Sequence, residues 1–324
     1  MIDLSQIIKP VLPEFEKFRE NFSKVVQTEI PLLEKALLYV LSSKGKHIRP
    51  LLLLLAAKAT GNISPLTIDA SVLIEILHTT TLIHDDVVDN TKQRRGVPSL
   101  NAVFDNRIAV LTGDFLLAGT MIKAVETGNL AMIRIIAKVC RELSEGELMQ
   151  LDNAESCSYC EEKYFSVIYK KTATLISACS EIGAILTGAS AETIDKCRQF
   201  GEYLGYCFQL KDDMFDYCED IKIGKPTGND IREGKISLPL LFALKNAGEK
   251  DRSRYMNIIN NQDFTTKNVS SLISFAKHYG GIEHAEKQLM EFKRKAIEII
   301  SDFPASEARA SLLLLADYFS ERIY

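Results

Sequence analysis

The sequence has no large excess of charge of either sign. Lysine and arginine together number 39, aspartate and glutamate number 43, and the formal net charge at pH 7 is −4. A protein that binds nucleic acid through its phosphates needs a basic surplus, because each neutralised phosphate requires a lysine or an arginine. The near balance of charge therefore argues against a nucleic-acid partner.

Long apolar runs and a secretory leader are also lacking. The longest leucine-rich run, LLLLLAA at residues 51–57, is far shorter than the roughly 20 apolar residues that cross a bilayer. The N-terminal segment has no apolar stretch that is followed by small residues suited to cleavage. We therefore expect a cytoplasmic protein that has no transmembrane segment.

Cysteine is too scarce for a disulfide framework. The chain has seven cysteines in 324 residues, whereas disulfide-stapled domains are short and carry even numbers of cysteines. Cys157 and Cys160 form a CxxC pair, but no second pair or nearby histidine completes the ligand set of a zinc site. The cysteines are therefore interpreted as incidental residues of a reduced protein.

Alternating polar and apolar residues, the pattern of β-strands, are absent, and apolar residues recur instead at spacings of three and four. This helical pattern occupies residues 66–89, 108–125, 130–151, 161–187, 192–217 and 236–246. Glycine and proline interrupt it only briefly, so no break is long enough to be a domain linker. The sequence predicts one all-α domain of ten or more helices that spans residues 1–324.

Two clusters of aspartate stand out against this apolar background. Residues 82–90 read LIHDDVVDN and residues 209–217 read QLKDDMFDY, so both clusters have the spacing DDxxD. Helix positions i and i+4 share a face, which places Asp85 beside Asp89 and Asp212 beside Asp216. Each cluster is expected at the C-terminal end of a helix, where the helix dipole disfavours carboxylates. A cation is therefore expected at each cluster.

The most suitable cation is Mg²⁺. No histidine or cysteine accompanies the paired carboxylates, and a hard divalent ion that binds few carboxylates keeps positions free for phosphate oxygens. The alternative, two solvated helix ends without a metal, would require both matched clusters to be coincidental.

Basic residues follow or precede each cluster, and arginine and helix N-termini are suited to phosphate oxygens. These residues are Lys46, His47, Arg49, Lys92, Arg94, Arg95, Lys222, Lys225 and Lys235. Together they indicate two anionic groups, one held through metal and the other held directly by lysine and arginine.

The order of these motifs resembles that of the trans-polyprenyl diphosphate synthases. The motifs are GKHIRP, LIHDDVVDNTKQRRGVPS, GELMQL, KKTATLI, FQLKDDMFDY, GKPTGNDIREGK and SLPLL, which lie within residues 40–245. The resemblance implies the isoprenoid synthase fold, with helices around a central cavity, and a homodimer. It also implies repeated head-to-tail condensation of isopentenyl diphosphate onto an allylic diphosphate.

The resemblance further implies roles for individual side chains. The catalytic residues would be Asp85, Asp86, Asp89, Arg94, Lys171, Thr172, Gln209, Asp212 and Lys225. The metal ligands would be Asp85, Asp89 and Asp212, with Asp213 and Asp216 in support. The allylic diphosphate would be held by Arg94, Lys171, Lys225 and Lys235, and isopentenyl diphosphate by Lys46, Arg49, His78 and Arg95. A peripheral membrane contact would suit release of the apolar product.

Small residues one helical turn before Asp85 favour a long product. One turn is about 5 Å, close to one isoprene unit, and at this level Thr80 and Thr81 stand where family members with short products carry a large aromatic. Leu77 lies at the next level. Because these side chains leave room for the product along successive helical turns, we expect roughly six to ten isoprene units, such as a quinone side chain. The floor of the tunnel is sought between Met132 and Leu143.

Two departures from the family pattern surround Lys46: Lys44 replaces a glycine, and His47 stands where arginine is common. Several alternatives also stay open. A shorter-chain geranylgeranyl or farnesyl diphosphate synthase would share these motifs. A terpene cyclase would leave the second basic set unexplained, and a non-catalytic subunit of a heteromeric synthase would be expected to lack part of the aspartate motifs.

Overall fold

The computed structural model describes residues 3–25, 28–42, 45–94, 96–156, 159–218 and 227–321. These residues are almost entirely helical, with more than ten helices and one short antiparallel hairpin. The all-α prediction is therefore confirmed.

The first half of the chain carries the hairpin, in which Gln93 lies opposite Pro98 and Arg94 opposite Val97. Its elements are α1 (Leu4–Ile8), a 3₁₀ turn (Lys9–Val11), α2 (Leu12–Ser23), α3 (Pro31–Leu41), α4 (Ile48–Thr60), α5 (Pro65–Val88), β1 (Gln93–Arg94), β2 (Val97–Pro98), α6 (Leu100–Phe104), α7 (Asn106–Glu126) and α8 (Leu130–Glu155).

The second half contains a short π-helical segment between two α-helices. Its elements are α9 (Glu161–Ile168), the π-helical segment (Tyr169–Ala173), α10 (Thr174–Leu186), α11 (Ala191–Phe215), α12 (Asn229–Arg232), α13 (Leu238–Asn246), α14 (Glu249–Asn260), α15 (Thr266–His278), α16 (Gly281–Ser301) and α17 (Glu307–Glu321).

The two aspartate motifs end long helices, as the sequence predicts. Helix α5 begins with a capping box, in which Ser64 and Thr67 satisfy each other's backbone N–H groups, and it ends at the C-cap Asp89. Helix α11 begins at the N-cap Ser190 and ends at the C-cap Asp216. The first motif thus lies at the end of α5, and the second at the end of α11.

Helices α4, α5, α10 and α11 form the centre of the molecule. The five leucines at positions 51–55 of α4 are fully buried, and α4 packs against α10, which in turn packs against α11. Two glycines permit this close packing. A Cβ on Gly183 would lie 2.5 Å from the carbonyl oxygen of Leu53, and one on Gly201 would lie 2.2 Å from Oγ of Ser180. The central helices are therefore fixed relative to one another by backbone contact.

Two helices, α5 and α7, are long and apolar enough to cross a membrane on length and composition alone. The apolar segment of α5 is 72% buried within the fold, as in the core helix of a globular protein. That of α7 is only 33% buried. Helix α7 therefore presents an apolar surface outward, which the fold does not cover.

Candidate functional site

The C-terminal part of α11 lines a cavity of about 200 Å³. The cavity is lined by Lys171, Gln209, Asp213 and Lys235, among others. Nζ of Lys235 also lies 3.1 Å from Oδ2 of Asp89. One lysine thus joins the first aspartate motif to the cavity wall formed by the second motif.

Asp85 lies in surroundings that carry excess negative charge. Burial, followed by the neighbouring carboxylate of Glu147, raises the pKa of Asp85 to about 7, although Lys171 and Arg94 oppose the shift. Ordinary aspartates have a pKa near 4. The protein's own cations therefore do not fully compensate this carboxylate, which is the environment that an added divalent cation would stabilise.

Asp86 points away from Asp85 and holds the hairpin. Its Oδ1 accepts hydrogen bonds from Nε of Arg94 at 2.8 Å and from Nη2 at 2.7 Å, and its backbone oxygen accepts from the side chain of Asn101. The Asp86 side chain is nearly inaccessible to solvent. Asp86 therefore positions Arg94, which the sequence analysis assigned to the allylic diphosphate.

The π-helical segment presents Lys171 and Thr172 to the cavity. Nζ of Lys171 donates to Gln150 of α8 at 3.0 Å and pairs with Glu147 at 2.6 Å. A Cβ on Gly146 would lie 2.8 Å from Cγ of Lys171 and 3.1 Å from its backbone nitrogen. The closeness of α8 thus requires glycine at position 146, and this explains the GELMQL motif. Sequence reasoning did not assign Glu147 and Gln150, although that motif contains both.

The preceding lysine anchors the same segment. Lys170 pairs with Glu142 and, at 2.7 Å, with Glu145, both on α8. Single turns of π-helix are frequent at functional sites. Here the π-helical turn directs two successive lysines to α8 and places Thr172 against α11.

The aspartates of the second motif have different partners. Both oxygens of Asp213 accept hydrogen bonds from protein donors: Oδ1 from Nε2 of Gln209 at 2.7 Å, and Oδ2 from the hydroxyl of Tyr164 at 2.6 Å. Burial, followed by the Asp230 charge, raises the pKa of Asp213 to about 8, although the two donors oppose the shift. Asp213 is therefore a structural anchor of the cavity wall.

Asp216 caps the next helix. Its Oδ1 accepts from the backbone N–H of Asn229 at 2.8 Å, and its Oδ2 accepts from that of Asp230 at 3.1 Å. The carbonyl of Asp230 in turn accepts from the backbone N–H of Lys235 at 2.8 Å. Asp216 therefore positions the turn that brings Lys235 to Asp89. Asp212, one turn earlier on α11, is half-buried.

The residues expected to hold isopentenyl diphosphate are brought together only in part. Nη1 of Arg49 lies 2.9 Å from Nε2 of His78, and His78 lines a second cavity of about 630 Å³ together with Gly45 and Arg94. Lys46 is exposed, and its Nζ lies 5.7 Å from the ring centroid of Tyr318. Lys46 therefore points toward α17 instead of lining this cavity.

Several positions singled out in the sequence lie outside the described residues: Lys44, Arg95, Cys157, Lys222 and Lys225. Their predicted roles stay predictions. His47, the other departure from the family pattern, pairs through Nδ1 with Oε1 of Glu75 at 2.9 Å.

Of the predicted chain-length residues, Leu77 and Thr81 share the face of α5 that carries Asp85, whereas Thr80 is turned away from it. Leu77 and Thr80 are almost completely buried. Thr81 is half-buried, one turn before Asp85, and its hydroxyl donates to the backbone oxygen of His78 at 2.8 Å. Of these three residues, Thr81 therefore both lies on the face of the helix that carries Asp85 and is partly exposed.

Within the part of the chain that the structure describes, no three His, Cys, Asp or Glu side chains form a ready-made metal cluster. Mg²⁺ characteristically binds through one or two carboxylates and completes its shell with water and substrate phosphates. The oxygen donors of Asp85, Asp89 and Asp212 fit such a partial site, and the uncompensated burial of Asp85 favours a cation there.

The model of the family described as polyprenyl synthetase matches residues 30–275. The chain belongs to the polyprenyl synthetase family. Over 312 residues it is 34% identical to a short chain isoprenyl diphosphate synthase of Methanothermobacter thermautotrophicus, covering 95% of this chain and 94% of that one. It is 31% identical to an octaprenyl diphosphate synthase of Haemophilus influenzae, covering 100% and 98%.

The solved structures agree with this assignment. The crystal structure of a polyprenyl synthase from Caulobacter crescentus, complexed with calcium and isoprenyl diphosphate, has a TM-score of 0.92 and 29% identity, and the match covers 99% of this chain and 98% of that one. The resemblance stated from the motifs is therefore confirmed, as is the isoprenoid synthase fold. The chain is a trans-prenyltransferase that elongates polyprenyl chains.

The cap provided by Asp216 can be tested by hydrogen exchange. Replacing Asp216 with alanine leaves the N–H groups of Asn229 and Asp230 without their acceptor. Since two hydrogen bonds are lost and each is worth about 1 kcal/mol, we expect amide exchange in residues 229–235 to accelerate by about thirtyfold or less.

Mass-spectrometric exchange of that peptide provides the measurement. Asp302→Ala, which removes an exposed carboxylate that is distant in sequence and lies 3.7 Å from Lys196, serves as the control. Equal exchange in the wild type and the Asp216 variant would contradict the capping role.

Proposed function

We propose that the chain adds isopentenyl diphosphate repeatedly to an allylic diphosphate such as farnesyl or geranylgeranyl diphosphate. The product would be a long-chain all-trans polyprenyl diphosphate. The observation that carries this proposal is the position of Lys235, which lines the cavity with Asp213 and also pairs with Asp89. One diphosphate in this cavity would be within reach of both aspartate motifs.

The allylic diphosphate would bind through lysines that the structure already holds in place. Lys171 and Lys235 both line the cavity, and each is paired with a carboxylate, Lys171 with Glu147 and Lys235 with Asp89. The Glu233 and Asp89 carboxylates raise the pKa of Lys235, although burial opposes the shift. Ammonium groups that are fixed before the reaction stabilise the charge that grows on the leaving diphosphate more than the charge of the ground state.

A divalent cation is the cofactor that the first motif favours. The Caulobacter crescentus structure holds calcium together with isoprenyl diphosphate. Asp85, Asp89 and Asp212 would hold the ion here, and we propose Mg²⁺, because it leaves positions open for diphosphate oxygens. When bound, such an ion supplies charge stabilisation to the departing diphosphate.

The carbon side of the cavity supplies oxygen dipoles. The hydroxyl of Thr172 and the amide of Gln209 both line it, joined by a hydrogen bond of 2.7 Å. Apolar side chains of Val167, Ile168 and Leu241 line it as well. This combination would stabilise an allylic cation and limit its reaction with water. The double bond of isopentenyl diphosphate would then attack, and the departed diphosphate is the base that would take the proton.

Isopentenyl diphosphate would enter through the 630 Å³ cavity. His78 and Arg94 line this cavity, and Arg49 contacts His78. For Lys46 to hold the same diphosphate, its side chain would have to turn away from Tyr318. A guanidinium beside an imidazole at a cavity wall is suited to a dianionic group.

Small side chains at Thr80 and Thr81 favour a long product. The similar proteins include both a short chain isoprenyl diphosphate synthase and an octaprenyl diphosphate synthase, so chain length depends on the residues of this chain. A short-chain geranylgeranyl or farnesyl product is the second candidate. The site of synthesis is predicted to be cytoplasmic, with a peripheral membrane contact for product release.

We further propose that a second copy of the chain covers the apolar stripe of α7. Leu111, Phe115, Ile122 and Val125 share one helical face, and their exposures are 64%, 40%, 60% and 63%. The stripe runs from residue 111 to residue 125, a rise of about 21 Å along the helix. A straight apolar stripe can pair with its own copy about a two-fold axis, which is the commonest symmetry of oligomers.

The activity can be tested on the purified chain alone. With farnesyl diphosphate, isopentenyl diphosphate and Mg²⁺, we expect long-chain polyprenyl diphosphates, which chromatography of the released lipids would size. A chelator should abolish turnover and added Mg²⁺ should restore it. If the allylic diphosphate is consumed without isopentenyl diphosphate, the chain is a cyclase. If the chain is inactive alone, it is a non-catalytic subunit.

Replacing Thr81 with phenylalanine should shorten the product. An aromatic ring one turn before Asp85, about 5 Å away along the helix, would obstruct the growing chain and stop its elongation earlier. The matched variant Thr81→Ser keeps a small hydroxyl residue and should give the parental chain length. Thr80→Phe is a poorer test, because Thr80 is fully buried and overpacking destabilises cores. Product length in Thr81→Phe equal to the parental length would show that the chain does not grow along this face.

The dimer prediction concerns Ile122. Replacing it with glutamate places a charge within the stripe, and we expect the sedimentation coefficient to change from that of a dimer to that of a monomer. Leu12→Glu, at a leucine of α2 that is 45% exposed, should leave the dimer intact. A monomeric wild type, or one that sediments with lipid vesicles through α7, would contradict the proposal.

A further inference from the structure

A chain of three hydrogen bonds crosses the wall of the smaller cavity. The hydroxyl of Tyr164 donates to Oδ2 of Asp213 at 2.6 Å, and Nε2 of Gln209 donates to Oδ1 of Asp213 at 2.7 Å. The hydroxyl of Thr172 donates to Oε1 of Gln209 at 2.7 Å. All four residues line the cavity, but the motifs assign no role to Tyr164.

The carboxylate of Asp213 sets the direction of this chain. Both oxygens of Asp213 accept hydrogen bonds, one from Tyr164 and the other from Gln209, and an amide has one donating end and one accepting end. Gln209 must therefore turn its NH₂ group toward Asp213 and its oxygen toward Thr172. Thr172 must then donate its proton to Gln209, and the lone pairs of its hydroxyl oxygen are left for the cavity.

Tyr164 is held firmly enough to fix Asp213. It is 8% exposed, and its ring packs edge-on against Phe165 with ring centroids 5.2 Å apart. The opposite end of the chain is equally constrained, because a Cβ on Gly205 of α11 would lie 2.4 Å from Cα of Ala173. The helix that carries Gln209 is therefore pressed against the π-helical segment that carries Thr172.

We propose that Tyr164 is a positioning residue for ionisation of the allylic substrate. By holding Asp213 in place, it makes Gln209 and Thr172 present oxygen lone pairs to the carbon that becomes cationic. Oxygen lone pairs stabilise positive charge, whereas N–H and O–H groups pointed at the same carbon would oppose it. The proposal rests on the proposed prenyl-transfer function, and Tyr164 acts only through Asp213.

A double-mutant cycle in the first condensation tests this role. The variants are Tyr164→Phe, Thr172→Val and the double variant, assayed with farnesyl and isopentenyl diphosphates. We expect Tyr164→Phe to lower kcat by about tenfold, the effect of one lost hydrogen bond to a charged group, with both KM values unchanged. In the Thr172→Val background its effect should fall below about threefold, since the hydroxyl that it orients is gone.

Two further variants complete the design. Thr172→Ser keeps the hydroxyl, so the full effect of Tyr164→Phe should persist in that background. Tyr255→Phe removes the hydroxyl of a tyrosine on α14 that lies 3.1 Å from the hydroxyl of Ser271 and lines neither cavity, and it should change kcat by less than about twofold in every background. If thermal melting shows that Tyr164→Phe is unfolded, Gln209→Met replaces it in the same cycle.

The outcomes distinguish failure of the positioning role of Tyr164 from failure of the proposed prenyl-transfer function. Equal effects of Tyr164→Phe in the wild-type and Thr172→Val backgrounds, or a loss of less than about twofold, would overturn the positioning role while leaving the prenyl-transfer function intact. A wild-type chain that does not consume isopentenyl diphosphate would overturn the proposed function, and this proposal with it.

Discussion

The structure depends on carboxylates that are concentrated where the fold disfavours them. Asp85 lies half-buried in the last turn of α5, at the negative end of the helix dipole, with Glu147 nearby. Burial, followed by the Glu147 charge, raises its pKa, and Lys171 and Arg94 do not fully offset this shift. Positive charge is therefore lacking at this site, and a divalent ion with a diphosphate supplies the charges and ligands that complete it.

Within this constraint, equivalent positions of the two motifs have different partners. Asp86 binds the guanidinium of Arg94 in the hairpin, whereas Asp213 binds Tyr164 and Gln209 in the cavity wall. Neither carboxylate is turned outward. The second aspartate of each DDxxD therefore organises the protein around the site. The first aspartate of each motif, Asp85 or Asp212, is half-buried and is proposed to bind the metal.

Local patterns predicted the helices and the residues that end them, because helical periodicity and capping act over a few positions. They also placed Asp212 and Asp216 on one face. The motif spacing could not predict that the Asp216 carboxylate accepts hydrogen bonds from the backbone N–H groups of Asn229 and Asp230. That contact depends on the path of the chain between α11 and α12. Tyr164 is 49 positions from Asp213 and belongs to none of the motifs. Glu147 and Gln150 lie within GELMQL, so their signal was present in the sequence.

The most direct test is a crystal structure with Mn²⁺ and an unreactive thio-analogue of the allylic diphosphate, in which anomalous scattering locates the ions. The account predicts ions coordinated by Asp85 or Asp89 on one side and by Asp212 on the other, bridged by a single diphosphate that also contacts Lys171 and Lys235. Ions bound at only one motif, or a diphosphate held away from both, would contradict it.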